Sequence, residues 1–200
     1  MKDFWKILLI IALVILAKAI MITGLIFIFV LGADYDVTRD KSKYNDVIGE
    51  KAKDKYEIKW GMSEEIFPSS IKDLDVKDFK MVYYDPWDKQ YLAYLVVDYD
   101  EDTYKEEVNR LEKIGIDKYI GYYGVTGFSK YKLLAMEADP YYGFVYAITK
   151  NNQIIYVELI FCNYFMDINY KKHINNDYLP DGFDATTDNP YEESMMKQGK

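Results

Sequence analysis

The chain carries a run of 25 residues, from position 7 to position 31, that is apolar apart from one charge at Lys18. As a helix rising about 1.5 Å per residue, this run would be roughly 37 Å long, which exceeds the roughly 30 Å hydrocarbon core of a bilayer. The apolar stretch of a cleaved signal peptide is shorter, at about 7–15 residues. The sequence therefore predicts that residues 1–33 form an uncleaved signal-anchor, a single-pass transmembrane helix.

Lys18 lies near the centre of this run, where a charged side chain costs about 2.5–3.5 kcal/mol on insertion scales. More than a dozen Leu, Ile, Phe and Val residues around it offset that cost. Lys18 either contacts a polar group of another membrane protein or snorkels to the interface from a tilted helix. The sequence thus predicts the lipid bilayer as a partner through residues 7–31, and leaves a membrane-protein partner at Lys18 as one alternative.

The orientation of the helix is predicted from its flanking charges. Lys2 and Lys6 precede the apolar run, whereas Arg39, Lys41 and Lys43 follow it at a greater distance. Basic residues close to a membrane span favour the cytoplasmic side, and a short N-terminal stub is usual for a signal-anchor. These cues favour a cell-membrane protein whose soluble domain is extracytoplasmic. The reverse orientation would make that domain an inward-facing regulator.

The remainder of the chain is acidic. Only three of the 25 basic residues and one of the 33 acidic residues lie in residues 1–33, so residues 34–200 carry a net charge of −10. An acidic domain repels phosphate backbones, so no nucleic-acid partner is expected. One cysteine excludes an intramolecular disulfide and a zinc site built from cysteines, and one histidine excludes a multi-histidine metal site. We therefore expect no cofactor and no metal site.

The clearest secondary-structure signals lie between residues 79 and 115. Two runs rich in Tyr, Val and Leu flank the turn at residues 85–88, which predicts an antiparallel hairpin. A helix is then predicted, because residues 103–106 have capping-box spacing and Gly115 suits the position just past a helix end. Glu106 and Arg110 are expected to pair on its exposed side.

Three further strands are predicted at residues 131–138, 144–149 and 154–165, and residues 150–153 form a tight turn before the last. That last strand is apolar at both alternating sets of positions, which predicts a central strand covered on both faces. The helix covers one face, and the linker, the C-terminal segment or a partner must cover the other. The order strand–strand–helix–strand–strand–strand indicates an α+β fold with a single antiparallel sheet and one main packed helix.

These signals divide the chain into four segments. Residues 1–33 form the transmembrane helix, residues 34–54 a juxtamembrane linker, residues 55–170 the α+β soluble domain, and residues 171–200 a polar C-terminal segment. The boundaries follow changes in polarity along the chain.

No catalytic residue is assigned from the sequence. Nucleophilic catalysis would need the only thiol, Cys162, beside the only histidine, His173, but Cys162 lies in the most apolar strand and is expected to pack as a small apolar side chain. Glu137 and Glu158 are acids within predicted strands, and either is a candidate for a buried functional carboxylate. Acidic residues near positions 98–102 and 177–188 lack the spacing of a calcium loop, so helix capping and solvated turns explain them better.

Aromatic residues on the hairpin form the candidate binding surface. Trp87 at its tip, with Tyr83, Tyr84 and Tyr91, is a candidate platform for a sugar or a protein partner. Tyrosine is also a favoured strand residue whose ring is half-buried, and this alternative stays open.

Several short motifs lie within roughly residues 60–112: Ile66-Phe67-Pro68-Ser69-Ser70-Ile71, Tyr83-Tyr84-Asp85, Gln90-Tyr91-Leu92, and Tyr99-Asp100-Glu101-Asp102-Thr103-Tyr104 leading to Glu107 and Arg110-Leu111. This part of the chain resembles an uncharacterised group of small, single-pass membrane-anchored proteins of Gram-positive bacteria. The resemblance implies a membrane anchor with a hairpin and a capped helix, and it implies no activity.

The function predicted from the sequence is the display of a non-enzymatic, acidic, tyrosine-rich interaction or ligand-binding domain outside the cell. Its partner is expected to be another membrane protein or a component of the cell envelope. A carboxylate-only envelope hydrolase and an inward-facing membrane-bound regulator are the alternatives.

Overall fold

A computed structural model describes residues 2–31, 34–49, 52, 56, 64–85, 89–140, 142–160 and 168–185 of the chain. The chain divides into two compact units, residues 1–34 and residues 35–200.

The first unit is a single long helix, α1 (Lys2–Leu31). Its sequence is rich in Leu, Ile and Ala, and the hydroxyl of Thr23 donates to the Ala19 carbonyl at 2.8 Å, within the helix. The stretch Phe4–Leu25 is 22 residues long, and none of it is buried. Within the described residues, α1 is the one helix long and apolar enough to cross a membrane, and a signal sequence near the N-terminus can meet the same criteria.

The second unit is built on one sheet, in which the described strands follow the order β1-β2-β3-β6-β5-β4. The pairs β2–β3, β3–β6, β6–β5 and β5–β4 are antiparallel. The strands are β1 (Asp34–Thr38), β2 (Asp75–Asp85), β3 (Gln90–Asp98), β4 (Lys132–Asp139), β5 (Gly143–Lys150) and β6 (Gln153–Ile160). The predicted α+β class is confirmed, and β1 is an additional strand that the sequence pattern did not reveal.

The second unit also contains the helices α2 (Tyr44–Val47), α3 (Glu101–Ile114) and α4 (Tyr170–His173). Single 3-10 turns occur at Lys41–Lys43, Glu64–Ile66, Tyr122–Gly124 and Asn176–Tyr178.

The main helix α3 is capped by Asp100, three residues before the predicted capping residue Thr103. The Asp100 side chain caps it by accepting hydrogen bonds from the backbone amides of Asp102 and Thr103, at 3.1 and 3.0 Å. The Thr103 side chain does not cap the helix, because its hydroxyl donates to Asp100 instead. Gly115 lies just past the C-terminal end at φ +93°, as predicted, where a side chain would be strained.

Strand β6 lies between β3 and β5, so the prediction of a central strand is confirmed. In register, Tyr156 lies between Leu95 on β3 and Ala147 on β5. Residues 154–160 are buried throughout. The predicted extension of this strand to residue 165 lies outside the described residues.

One face of the sheet, here called the helix face, is covered by α3 together with residues from the segments 44–56 and 64–74. Leu111 from α3 and Ile66 from the second segment are completely buried. The predicted linker therefore differs from the structure, because Tyr44 and Val47 are buried in this core and the segment begins with β1. Although polar residues separate the apolar residues of this segment, Tyr44 and Val47 lie together on its buried side.

The opposite face, here called the loop face, is covered by residues 119–131 and 168–185. The two covering segments are joined to each other by backbone–backbone hydrogen bonds. The amide of Thr126 donates to the Asp181 carbonyl, and the amide of Asp181 donates to the Gly127 carbonyl, both at 2.8 Å. The start of the predicted polar C-terminal segment is thus part of the core, since Ile174, Leu179 and Phe183 are buried.

Candidate functional site

The aromatic residues predicted as a recognition surface do not form one exposed surface among the described residues. Tyr91 is completely buried, and its hydroxyl donates to the carbonyl of the last residue of α2 at 2.6 Å. Tyr83 lies opposite Tyr91 in the hairpin register and is 5% exposed. Tyr84 is half-buried, and Trp87 lies outside the described residues. For Tyr83 and Tyr91 the expectation is corrected, because both point into the helix-face core.

The two strand carboxylates lie on the helix face of the sheet. Glu158 is completely buried and faces Val145 in register, and Val145 in turn faces Glu137, which is half-buried. The two glutamates are thus separated by one intervening strand, a spacing of roughly 10 Å between their backbones. Neither residue lines the groove described below.

The single histidine lies on the loop face beside a buried lysine. The ammonium of Lys80 is 3.2 Å from His173 Nδ1 and donates to the His173 carbonyl at 3.1 Å. Burial lowers the pKa of Lys80, and burial together with the charge of Lys80 lowers the pKa of His173. Cys162, the other member of the candidate nucleophilic pair, lies outside the described residues. The side chain of Lys18 is exposed on α1.

A groove of about 920 Å³ runs between α3 and the segment 64–74, next to α2, and is here called the α3 groove. Its volume lies within the range of about 300–1,000 Å³ typical of ligand pockets. Among the described residues, its apolar lining comes from Tyr44, Ile48, Phe67, Pro68 and Leu74, and its polar lining from Glu65, Ser69, Ser70, Tyr99, Thr103, Glu106, Glu107 and Arg110.

Hydrogen bonds to backbone carbonyls hold the walls of the α3 groove. The hydroxyl of Tyr44 donates to the Pro68 carbonyl at 2.6 Å. The guanidinium of Arg110 donates to the Ile66 carbonyl at 2.9 Å and also to the Glu65 carbonyl. These contacts tie the segment 64–68 to α2 and to α3, so the protein's own side chains hold the walls of the groove.

Arg110 forms a two-pronged ion pair with Glu107. Its Nε and Nη2 atoms lie 2.8 and 2.6 Å from the two carboxylate oxygens of Glu107. The hydrogen bond to this carboxylate raises the pKa of the Arg110 guanidinium. The predicted pairing of Arg110 with Glu106 is therefore corrected: the partner is three residues away on the inner side of the helix, where Glu107 is 14% exposed.

Two buried tyrosines extend this ion pair into the core. The hydroxyl of Tyr156 donates to Glu107 Oε1 at 2.6 Å, and the hydroxyls of Tyr156 and Tyr99 are 2.7 Å apart. Since Tyr156 has a single proton and donates it to Glu107, Tyr99 is the donor in the second bond. Burial raises the pKa of Tyr99 to about 12 and raises that of Tyr156 well above its usual value. Both phenols are therefore neutral at physiological pH.

The Glu107 carboxylate is held in place by its own neighbours. Both oxygens of Glu107 accept hydrogen bonds from Arg110, and one also accepts from Tyr156, so the carboxylate is fixed in place. In the described part of the chain, no group of three or more His, Cys, Asp or Glu side chains is placed to hold a metal ion.

The sequence reasoning missed Glu107, Tyr99 and Tyr156 as parts of a site. The spacing of Glu107 and Arg110 permitted an ion pair, and Tyr156 was the one residue with a hydroxyl inside the central strand. The sequence pattern did not reveal the position of the segment 64–68. This segment lies more than 30 residues before α3 and forms the wall of the α3 groove opposite that helix.

Comparison of the chain with protein-family models, with curated proteins and with solved structures gives no match. The resemblance of residues 60–112 to small membrane-anchored proteins therefore rests on its motifs alone.

Proposed function

We propose that the protein is anchored in the cell membrane by α1 and displays residues 35–200 outside the cell as a non-enzymatic binding domain. The α3 groove is its binding site. The observation that carries this proposal is a groove of about 920 Å³ whose walls are tied together by Arg110 and Tyr44.

The length of α1 supports an anchor. Its apolar stretch Phe4–Leu25 has 22 residues, which exceeds the apolar core of about 7–15 residues in a cleaved signal peptide. A span of roughly 20 apolar residues matches the thickness of a bilayer. Two lysines near the N-terminal end favour the orientation that places the domain outside.

The state of the acids supports binding rather than hydrolysis. A general acid needs access to substrate, but Glu158 is completely buried, and neither Glu158 nor the half-buried Glu137 lines the α3 groove. Glu107, which does line the groove, is held by Arg110 and Tyr156. The remaining groove surface combines apolar rings with exposed hydroxyls, a mixture typical of ligand sites.

The binding role is tested by photo-crosslinking in intact cells. A photoreactive phenylalanine analogue is placed at Ser70, on the groove wall, and separately at the exposed residue Lys72, which does not line the groove. We expect a discrete crosslinked product from position 70 alone, and its loss when Ser69→Trp fills the groove. Equal labelling from both positions, or persistence after the groove is filled, contradicts the proposal.

The anchor and its orientation are tested with a single cysteine. Asp40→Cys in a Cys162→Ala background should react with a membrane-impermeant maleimide in intact cells, and the chain should keep its original N-terminus and resist carbonate extraction. Protection of this cysteine until the cells are lysed would instead support the inward-facing regulator. A new N-terminus after the apolar run would remove the anchor from the proposal.

Lys18 provides a separate test of a partner within the membrane. If Lys18 contacts a polar group of another membrane protein, Lys18→Leu should abolish co-purification of that protein while leaving membrane insertion unchanged. Lys6→Leu, outside the centre of the span, is the matched control. Equal co-purification in both variants means that the lysine reaches the interface instead.

A further inference from the structure

We infer that one end of the sheet docks on the surface of the lipid bilayer, with the exposed side chains of Tyr35 and Ile120 entering its headgroup region. The docking rests on α1 being the membrane anchor, as proposed above, and adds a second contact between the chain and the same bilayer. Three observations carry it: the register of the strands, the short link between α1 and β1, and the exposure of apolar side chains at this end.

This end of the sheet is traced through five strands by the register of their pairs. Tyr83 on β2 lies opposite Tyr91 on β3, which lies opposite Ile160 on β6. Ile160 lies opposite Gly143 on β5, which lies opposite Asp139 on β4. These five residues form one row across the sheet, here called the proximal row. The chain turns from β4 to β5 just beyond this row.

Strand β1 begins at the same end. Its second residue, Tyr35, packs on Tyr84, which adjoins the proximal row, with ring centroids 5.9 Å apart. Arg39, just past the end of β1, pairs at 2.9 Å with Asp78, which lies farther back along β2. The order of these two contacts shows that β1 runs antiparallel to β2, so its first residues lie at the proximal row.

The chain between α1 and β1 is short. Leu31 is the last residue of α1, and Tyr35 follows it by four residues. Four residues span at most about 14 Å even when fully extended. With α1 as the anchor, this limit keeps the start of β1, and therefore the proximal row, near the point at which the chain leaves the bilayer.

Large apolar side chains are exposed at this end of the sheet. Tyr35 is 54% exposed, Ile120 is 51% exposed, and Tyr142, between β4 and β5, is 37% exposed. Ile120 is placed here because the hydroxyl of Tyr123, three residues later, donates to the Pro140 carbonyl at 2.7 Å. Tyrosine suits the headgroup level of a membrane, and an aliphatic side chain that enters the layer beneath it is removed from water.

The contact with lipid is apolar and not electrostatic. The acids Asp85 and Asp139 lie at or next to the proximal row, and the lysines Lys89 and Lys118 lie close to it along the chain. Because charges of both signs are present, this end has no excess of cations to attract lipid phosphates. Docking should therefore occur on a zwitterionic bilayer and persist when salt is raised.

The test measures depth in the bilayer with nitroxide spin labels on the full chain, held as one chain per phosphatidylcholine nanodisc. In a Cys162→Ala background, the label is attached at Ile120→Cys and separately at Asn152→Cys. Asn152 is exposed in the β5–β6 turn, at the opposite end of the sheet, and β5 is about 23 Å long. The ratio of accessibility to oxygen, which enters lipid, over a water-soluble nickel chelate should be about threefold or more higher at position 120.

Ile116→Cys is the matched control, because Ile116 is also 51% exposed. Ile116 pairs with Met136, which lies three residues before Asp139 on β4, so it is about 10 Å back from the proximal row. The label at position 116 should give a ratio close to that at position 152. Equal ratios at positions 116 and 120 would mean that this end of the sheet makes no contact of its own with lipid, and would overturn the docking.

A second pair of variants tests whether Ile120 itself carries the contact. With the label at Tyr142→Cys, the added change Ile120→Asp should lower the ratio to the value at position 152, since an aspartate resists removal from water. Ile116→Asp should leave the ratio at position 142 unchanged. Both isoleucines are exposed, so neither change removes a buried side chain. An equal effect of the two changes would contradict the role of Ile120.

The same samples separate failure of the docking from failure of the proposed function. If the chain stays in the nanodisc but position 120 matches position 152, α1 is an anchor and the docking is overturned alone. If the chain does not stay with lipid, the anchor and the docking fall together. If position 120 is shielded only in vesicles that hold several chains, a second copy and not lipid covers this end, which also overturns the docking.

Discussion

The helix face and the loop face of the sheet are covered in different ways. On the helix face, α3 is joined to the sheet by side chains, through the chain of contacts from Arg110 and Glu107 to Tyr156 and Tyr99. On the loop face, irregular segments cover the sheet, and the Tyr146 hydroxyl donates to the Tyr178 carbonyl at 2.8 Å. The helix face has bonds of this type as well, as from Tyr91 to the Val47 carbonyl.

The two covers also differ in the space they leave. The helix face keeps the α3 groove of about 920 Å³, whereas a cavity on the loop face, beside Tyr170 and Phe183, measures about 250 Å³. A helix is a rigid cylinder that contacts a sheet along one line, so space remains beside it, while loops can follow the surface closely. Because irregular backbone needs partners for its polar groups, the loop cover depends on many individual hydrogen bonds.

The largest expected effect on stability is at the packing of α3 on the helix face. Leu111→Ala removes the completely buried side chain by which α3 packs on the sheet, and it should lower the free energy of unfolding by about 3 kcal/mol. It should also accelerate hydrogen exchange in residues 64–68 through the loosened α3. The measurement is urea unfolding of the full chain in detergent micelles, followed by near-ultraviolet circular dichroism. The exposed change Lys113→Ala should leave stability almost unchanged, and a similar loss there would contradict this view of the helix face.

The next effect tests the close contact of loops on the loop face. A Cβ atom at Gly182 would lie 2.4 Å from the Gly124 carbonyl oxygen, and φ is +79°. Gly182→Ala should therefore cost about 2 kcal/mol in the same unfolding measurement. Gly49→Ala is the control. Gly49 also has a positive φ, of +105°, but a Cβ atom there would meet no described atom within 4 Å, so this substitution should cost about 1 kcal/mol. Equal costs would mean that the loops can separate easily.

Two buried tyrosines on opposite faces allow a direct comparison of the hydrogen bonds. Tyr156→Phe removes one of the three hydrogen bonds that Glu107 accepts and leaves Tyr99 without its acceptor, and should cost about 1.5 kcal/mol. Tyr146→Phe leaves only the neutral Tyr178 carbonyl without its donor and should cost about 1 kcal/mol. If Tyr146→Phe proves the more costly, the loop face depends more on the Tyr146 hydroxyl than the helix face does on the Tyr156 hydroxyl.

The smallest effect is a pH dependence confined to the loop face. Burial and the charge of Lys80 keep the pKa of His173 below its ordinary value of 6.5 in the folded chain. The unfolded chain therefore binds more protons as pH falls through about 6.5, and folding stability should decrease there. The charged neighbours are Lys80 on β2 and Lys172 on α4, both cationic. Unfolding between pH 7.5 and 5.5 should show a shallower loss in His173→Gln, and an identical slope would contradict the assignment.

The parts of the fold that the sequence predicted are those with strong local periodicity. The β2–β3 hairpin, α3 with its terminal Gly115, and the central position of β6 each follow from alternation or helical spacing within one short window. The strand β1 and helix α2 have five and four residues, which is too short for a periodic pattern to stand out. Tertiary packing determines the conformation of such short segments. Tyr44 and Val47 in α2 are examples, because both are buried in the core.

The candidate site was harder to predict than the fold. Strand β3 is apolar on both alternating sets of positions, from Tyr91 to Val97, which is the pattern that identified β6 as central. The same argument places Tyr91 in the core and not on a recognition surface. The α3 groove depends instead on Arg110 meeting the carbonyls of residues 65 and 66, and a sequence contains no local signal for a contact to a backbone carbonyl so far along the chain.

The contact of Arg110 with the groove wall has a consequence for how this protein can diversify. The sheet and its two covers resist change because their side chains are packed on all sides, whereas one groove wall is held to α3 by a guanidinium at the surface of the domain, whose side chain is 39% exposed. Under the proposed binding role, substitutions near this residue would change which partner fits while the folded scaffold is conserved, so new recognition properties would need only single mutational steps.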